Sequence, residues 1–328
     1  MNDLKKYSLI PRNEVPVDEW DGFVHASDDC WLWHTSDFLD IFQSWNNQKD
    51  QSFAVMGLSK TIVAVVGLNS HKHRRLKFWK EDYLSALGGF AFSNEITDKR
   101  RKEIYDHMEN HCADLGQTID VTISTLTPSI VDTKYGHVNP LIFRGYENNL
   151  TQTCILDLNK SWGDLEKGMS QTTRQIIKKD LEVKVSEATA HDLDVYYEIH
   201  CETYNRTGVR PHPYGYFEGI FTRMIAKGYA RVLKLEHKGK ILAMKNCACY
   251  KGGAYYWTGA SRNGIDGAYN RLLMVEQIKR AKSDEFRWFE VGEVFPATAD
   301  GKKAGLTLYK SSFGGDYYPF YKGRKILK

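Results

Sequence analysis

The stretch YARVLKLEHKGKILAMKNCACYKGGAYYWTGA, residues 229–260, carries two turn signals set between strand-like runs. Tyr229 to Leu235 and Ile241 to Tyr250 flank His237-Lys238-Gly239-Lys240 as a hairpin, and Lys251-Gly252-Gly253 turns the chain into a third strand, Ala254 to Ala260. The apolar positions Leu272, Leu273, Val275, Ile278 and Ala281 predict a helix from about Asp266 to Lys282, and Phe286 to Val291 reads as a further strand.

The same order stands earlier in the chain. Ser52 to Leu58 and Ile62 to Leu68 flank Ser59-Lys60-Thr61 as a hairpin, and a third strand is placed near Tyr83 to Gly88. Thr97 then caps a helix with Ile104, Met108, Cys112 and Leu115 on one stripe; Gly116 reads as its left-handed stop, and Gln117 to Ser124 as the returning strand. Strand, strand, strand, helix, strand thus recurs at an offset of about 170 residues, which two tandem copies of one unit explain; a single elongated domain with an accidental repeat is the alternative. Between the copies, Thr153 to Leu158 is strand-like, Gln171 to Leu181 helical with Arg174, Lys178 and Lys179 on its polar side, and Glu182 to Ser186 a strand. Helices follow from about His191 to Asn205, ending before Gly208, and from Tyr214 to Lys227, closed by Gly228. The polar turn Tyr146-Glu147-Asn148-Asn149 sets the expected domains at 1–148 and 149–328.

Composition narrows the function classes. A chain of 328 residues, 42% hydrophobic and 13% aromatic, can bury two cores. Met1-Asn2-Asp3-Leu4-Lys5-Lys6 lacks the pattern of an export signal, and the longest apolar run, Ile62 to Leu68, is strand-sized, so a cytoplasmic protein without a transmembrane segment is expected. Six cysteines without a Cys-x-x-Cys pair read as reduced, mostly buried thiols. Cys247 and Cys249 share a strand face, but two ligands make no metal site, and none is expected. The net charge of +4 is mild; His71-Lys72-His73-Arg74-Arg75 and Lys99-Arg100-Arg101-Lys102 are solvated faces or contacts for a polyanion such as tRNA, a nucleotide or anionic lipid headgroups. Peripheral membrane contact is compatible with this pattern; a DNA partner is not expected.

Three antiparallel strands, a strand-to-helix junction and a further strand resemble the GNAT acyltransferase fold, so the expected class is α/β (α+β): two tandem GNAT-like domains, each a mixed, mostly antiparallel sheet flanked by helices. The junction, Gly259-Ala260-Ser261-Arg262-Asn263-Gly264-Ile265-Asp266-Gly267-Ala268, is glycine-rich. Its spacing departs from the usual Arg/Gln-x-x-Gly-x-Gly/Ala signature, which leaves a coenzyme A pyrophosphate site and a plain loop both open.

Several stretches of the second half resemble the Fem family, the non-ribosomal aminoacyltransferases that build peptidoglycan bridges from aminoacyl-tRNA. They are Thr173 to Lys179, Tyr204 to His212 followed by Tyr216-Phe217, Tyr255 to Ser261, Tyr269-Asn270, Phe289 to Glu293, and Tyr309-Lys310-Ser311-Ser312-Phe313-Gly314-Gly315, similar to the family's Phe-Lys-x-x-Phe-Gly. The first half matches mainly through Trp33 to Phe38 and strand order. Glu293 and Tyr309 depart from the family's glycine and phenylalanine, and the coiled-coil arm of some members has no counterpart.

The resemblance implies an enzyme that moves an acyl or aminoacyl group onto an amine of a nucleotide- or lipid-linked cell-envelope precursor. The co-substrate is acyl-CoA or aminoacyl-tRNA, and no tightly bound cofactor is expected. A non-catalytic binding or scaffold module of the same fold is the alternative. Lys310, read as the end of a strand-like run Gly305 to Lys310 before a flexible turn, is the expected oxyanion stabiliser, with a proton relay or a snorkelling edge lysine as other readings. Glu290, closing a strand, is the candidate acceptor of the amine proton. The candidate substrate-binding residues are Arg174, Arg206, Arg210, His212, Trp257, Asn270 and Tyr309; His212 would hold phosphate only when protonated. Tyr256 and Trp257 point to opposite sheet faces, so only one of them can line a pocket.

Overall fold

The computed structural model describes residues 7–76, 79–131 and 138–327, so Met1 to Lys6 lie outside the described residues, as do the side chains of His73, Arg74 and Arg75. The chain divides into two compact units, one formed by Met1–Thr151 with Pro319–Lys328 and the other by Gln152–Tyr318. In chain order the first carries β1 (Ser8–Pro11), α1 (Val17–Ala26), α2 (Ser36–Phe42), β2 (Gln48–Asp50), β3 (Phe53–Met56), β4 (Ile62–Val66), β5 (Asn69–Leu76), β6 (Trp79–Leu87), β7 (Phe90–Phe92), α3 (Asp98–Leu115), β8 (Thr118–Thr122), α4 (Pro128–Val131) and β9 (Glu147–Asn148). The second carries β10 (Thr151–Asp157), α5 (Trp162–Gly168), α6 (Gln171–Lys178), β11 (Val183–Glu187), α7 (Leu193–Thr207), α8 (Tyr214–Gly219), β12 (Ala230–His237), β13 (Lys240–Tyr250), β14 (Gly253–Ser261), α9 (Gly267–Ser283), β15 (Trp288–Val294), α10 (Gly301–Ser311) and β16 (Asp316–Phe320). Last in sequence is β17 (Lys322–Ile326).

In the second unit the sheet order is β11-β12-β13-β14-β15-β10-β16. The strands β12, β13 and β14 are antiparallel neighbours, and β14 and β15 run parallel across α9. The first unit repeats the plan with bent strands. Its sheets, β1-β3-β4-β7 and β2-β5-β6-β8-β17-β9, share strands broken at short bends, since β2 and β3, β4 and β5, and β6 and β7 each follow one another almost without a gap. There β6 and β8 are parallel across α3, as β14 and β15 are across α9. Val55, Val66, Leu84, Met108 and Ile119 fill the first core; Leu156, Met274, Ile278, Phe289 and Phe313 belong to the second.

Four details depart from expectation. Strand β5 spans the basic sequence 69–76, whose composition hides it from a search for apolar alternation. Gly116 ends α3 with φ −165°, extended rather than left-handed. Its need for hydrogen in place of Cβ is steric, because a Cβ would come within 2.8 Å of the Asp82 carbonyl oxygen and of Leu84 Cγ. Gly116→Ala is therefore expected to lower unfolding free energy by about 1–3 kcal/mol, read from the denaturant midpoint of the first unit. Residues 305–311 are not a strand but the end of α10, whose Asp300 cap accepts from the Lys302 and Lys303 amides. Finally, residues 319–328, expected in the span 149–328, belong to the first unit: β17 lies between β8 and β9 and pairs antiparallel with each.

Candidate active site

The parallel pairing of β14 and β15 lasts for three residue pairs, Gly253 with Trp288 through Tyr255 with Glu290, after which the strands part. Glu290 stands at that fork. Its side chain is 2% exposed, accepts a 2.6 Å hydrogen bond from Thr153 Oγ1, and has a pKa raised to about 7 by burial, against the pull of that bond and of Lys310. Lys310 reaches the same place from the last turn of α10. It is 9% exposed and donates to the Glu293 carbonyl at 2.8 Å. Burial brings its pKa down to about 8, opposed by attraction from Glu290 and Glu293. Gly292, at φ 97°, lets the ammonium in: a Cβ there would lie 3.0 Å from Lys310 Nζ. Two groups that sequence separates by twenty positions are thus brought near enough to feel each other's charge without a direct ion pair, Glu290 held by Thr153 and Lys310 by the Glu293 carbonyl, each poised to exchange a proton near neutrality.

Beyond the fork, β14 borders a cavity of about 220 Å³ lined by Thr203, Lys245, Tyr256, Gly259, Ser261 and Asn270, with Tyr309 completing the wall. Of the expected binding residues, Asn270 and Tyr309 meet here, the Tyr309 hydroxyl donating to the Asn270 carbonyl at 3.2 Å. Tyr256, not Trp257, is the aromatic that enters. Trp257 is the extra residue of a β-bulge between Tyr256 and Thr258 and packs edge-on against Tyr216. Lys245 was missed from sequence. The available signal was a lysine in the apolar run Ile241 to Tyr250, in step with Ala243, Cys247 and Cys249, which are core residues.

The expected cationic residues are placed otherwise. The Arg174 guanidinium donates to the carbonyls of Lys167 and Met169, closing the end of α5. Arg206 donates to the Asn263 side chain and Arg210 is exposed. His212 packs among His200, Tyr204 and Tyr216, and burial lowers its pKa to about 4. It is neutral at pH 7 and is not the protonated phosphate ligand that its position in the loop suggested.

The strand-to-helix junction is occupied by its own side chains. Thr203 Oγ1 accepts from the Ser261 amide at 2.9 Å, Glu202 from the Asn263 amide at 2.6 Å, and Asp266 from the Ala268 amide at 2.9 Å. Arg262 pairs with Glu198 at 2.8 Å and with Glu202 at 3.5 Å. The amides of Ser261, Asn263 and Ala268 are thus already engaged within the chain.

The first unit holds a larger cavity, about 590 Å³, bordered by Phe90, Phe92, Tyr105, Ile123 and Arg101. It lies past the last pair of β6 and β8, Leu87 with Thr122, the place in this copy that corresponds to the fork of the second. Both guanidinium groups that border it are already engaged, Arg101 pairing with Asp29 at 2.7 Å and Arg144 with Asp106 at 2.8 Å. Among the described residues no helix is long and apolar enough to cross a membrane, and no group of three His, Cys, Asp or Glu side chains could hold a metal ion.

Residues 167–310 match the family described as the acetyltransferase (GNAT) domain. No curated protein matches. Among solved structures, FemX is similar over 97% of each chain at 13% identity and TM-score 0.70. A tandem GNAT protein from the clavulanic acid biosynthesis pathway is similar over 98% of this chain and 99% of its own, at 10% identity and TM-score 0.55. The C-terminal domain of a proposed lysylphosphatidylglycerol synthetase from Agrobacterium fabrum is similar over 94% and 91%, at 12% identity and TM-score 0.56. At these identities the likeness is one of fold, and it extends over both units. The chain therefore has the tandem GNAT fold, and its second unit is a GNAT acyltransferase domain.

Proposed function

We propose that this protein transfers an acyl or aminoacyl group to an amine of a cell-envelope precursor, a peptidoglycan peptide or an amino sugar of a surface polysaccharide. The observation that carries the reading is that a buried carboxyl group, Glu290, and a buried ammonium group, Lys310, both stand at the fork of β14 and β15. Acyl transfer to an amine requires a neutral nucleophile, a cation for the developing oxyanion and a proton for the leaving group. Glu290 accepts the proton from the incoming ammonium; the freed nitrogen attacks the acyl carbon, and Lys310 stabilises the oxyanion. The bond to the leaving oxygen or sulfur then breaks as that atom takes the second proton shed by the attacking nitrogen, and Glu290 gives its own proton to solvent.

The carboxylates at the junction favour a donor whose carrier does not rest a pyrophosphate there. Glu198 and Glu202 support an aminoacyl ester of tRNA over the thioester of coenzyme A. The Fem resemblance supports the same donor and an envelope acceptor, as does a structural neighbour whose name joins a lysyl group to phosphatidylglycerol.

The test supplies purified protein with charged tRNAs and acyl-CoA donors, against uridine-nucleotide-linked muropeptides and amino sugars. Acceptor-dependent release of deacylated tRNA or coenzyme A is the expected result. Tight acceptor binding with no release from any donor would replace the enzyme reading by the scaffold reading.

The pair also sets a pH profile. The required state has Glu290 ionised and Lys310 protonated, so kcat/KM is expected to rise through about pH 7 and to fall above about pH 8, the two limbs belonging to the pair. Glu290→Gln should remove the acid limb; a profile of unchanged shape in that variant would exclude Glu290 as the proton acceptor.

A further inference from the structure

Lys245 is a buried cation with no anionic partner among the described residues. It is 3% exposed, and its one hydrogen bond among the described residues is a long one, 3.4 Å from Nζ to the Tyr256 hydroxyl. Its charge lies over the Tyr256 ring at 4.7 Å and the Tyr309 ring at 5.6 Å. Among the described ion pairs no carboxylate engages it, and burial lowers its pKa to about 8, which leaves it mostly charged at pH 7. An ammonium group has three donors, and desolvating it without an acceptor is costly; a site that retains one in this state is complete only when something else supplies the oxygens.

The room for that group is present. Gly259 is the cross-strand partner of Lys245, and the cavity of about 220 Å³ runs past both along β14 to Asn270 and Ser261. The nearby guanidinium of Arg271 lies over the same Tyr309 ring at 5.5 Å but directs its donors to the side chains of Thr173 and Ser312. A single ammonium between aromatic faces suits a monoanion with an apolar stem, whereas a phosphate dianion is ordinarily met by several donors or a guanidinium fork.

We infer that Lys245 is a specificity-determining residue that pairs with a carboxylate on the transferred acyl group, so that the donor carries a dicarboxylic acyl or acidic aminoacyl group. The inference rests on the acyl-transfer reading of the same domain, and its binding arm can be tested without turnover.

Succinate is titrated into protein labelled with 13C at lysine Cε. The expected result is a saturable shift of the Lys245 resonance together with a rise in its pKa, and at least a tenfold weaker binding in both Lys245→Met and Lys245→Gln, each checked for an unchanged thermal midpoint. Equal succinate binding by wild type and these variants overturns the inference. So does inorganic phosphate binding at Lys245 more tightly than succinate, which would assign the site to a phosphate of the donor's carrier.

In the transfer arm, glutamyl-tRNA is compared with alanyl-tRNA and succinyl-CoA with acetyl-CoA. The kcat/KM ratio should favour the charged acyl group and fall at least tenfold in Lys245→Met. A wild-type preference for the neutral group overturns the inference and leaves acyl transfer standing. No transfer from any donor removes the functional reading instead, and the succinate titration then decides whether Lys245 binds a carboxylate.

Discussion

Lys310→Ala should lower kcat on order of a hundredfold or more, because one preorganised donor to an oxyanion in a water-poor site is typically worth about 3–4 kcal/mol of barrier. The argument rests on where the ammonium is held. Lys310 is fixed by the Glu293 carbonyl at 2.8 Å, beside Glu290, where β14 and β15 part. A group held this way needs little reorganisation as charge develops on the substrate. Loss of the contact should therefore appear in kcat with a smaller change in KM, the pattern of an interaction strengthened in the transition state. Lys310→Arg should not restore the rate. The ammonium already lies 3.0 Å from where a Cβ on Gly292 would stand and is held by one carbonyl, so a bulkier planar guanidinium does not fit the same place. Full turnover in Lys310→Ala on an identified substrate would exclude this role while leaving the acyltransferase fold intact.

Much of this fold can be read from local sequence because its signals are local. The hairpin turn at Lys238-Gly239 has both residues at positive φ, and α9 shows its core stripe at helical spacing. Where the reading fails, the deciding contacts are distant. In α10, Leu306 and Leu308 alternate as they would in a strand, yet Leu308 is exposed and it is Tyr309 and Phe313, four residues apart, that pack inward. The cap at Asp300 carries the helix start. Lys310 stands on the end of a helix, not of a strand, and that helix brings it to the Glu293 carbonyl. The arginines show the reverse. Composition gives their charge but not their engagements, and Arg174 and Arg206 are taken by a carbonyl pair and an asparagine that only the folded chain brings near. Lys245 was legible as an anomaly, a lysine in step with core residues, but its lack of an anionic partner is a property of the whole site.

A chain ending at Phe320 should retain a folded second unit and lose the first. This prediction follows from the return of the C-terminal segment into a sheet built by residues far away in sequence. The strand β17 runs between β8 and β9, paired from Lys322 with Thr122 to Ile326 with Thr118 on one side and through Gly323 and Arg324 on the other. Removing it strips β8 of a whole ladder and leaves an unprotected edge in the middle of a sheet. Tyr321, only 1% exposed, goes with it, as do the Lys325 ion pair with Glu109 at 2.7 Å and the Arg324 pair with Asp120 at 2.8 Å. The exposed Arg324 pair contributes little, whereas emptying the site of a buried aromatic costs about 3–5 kcal/mol by itself. Typical domain stability is only about 5–15 kcal/mol, so the tyrosine and the lost ladder together should exceed what the first unit can spare. Limited proteolysis should then cut within residues 7–151 and leave a resistant fragment beginning near Gln152, with amide exchange protection kept in β12 to β15. Wild-type protection of β3 and β4 in the shortened chain would show that the first unit folds without β17, and that the strand decorates a sheet already stable by itself.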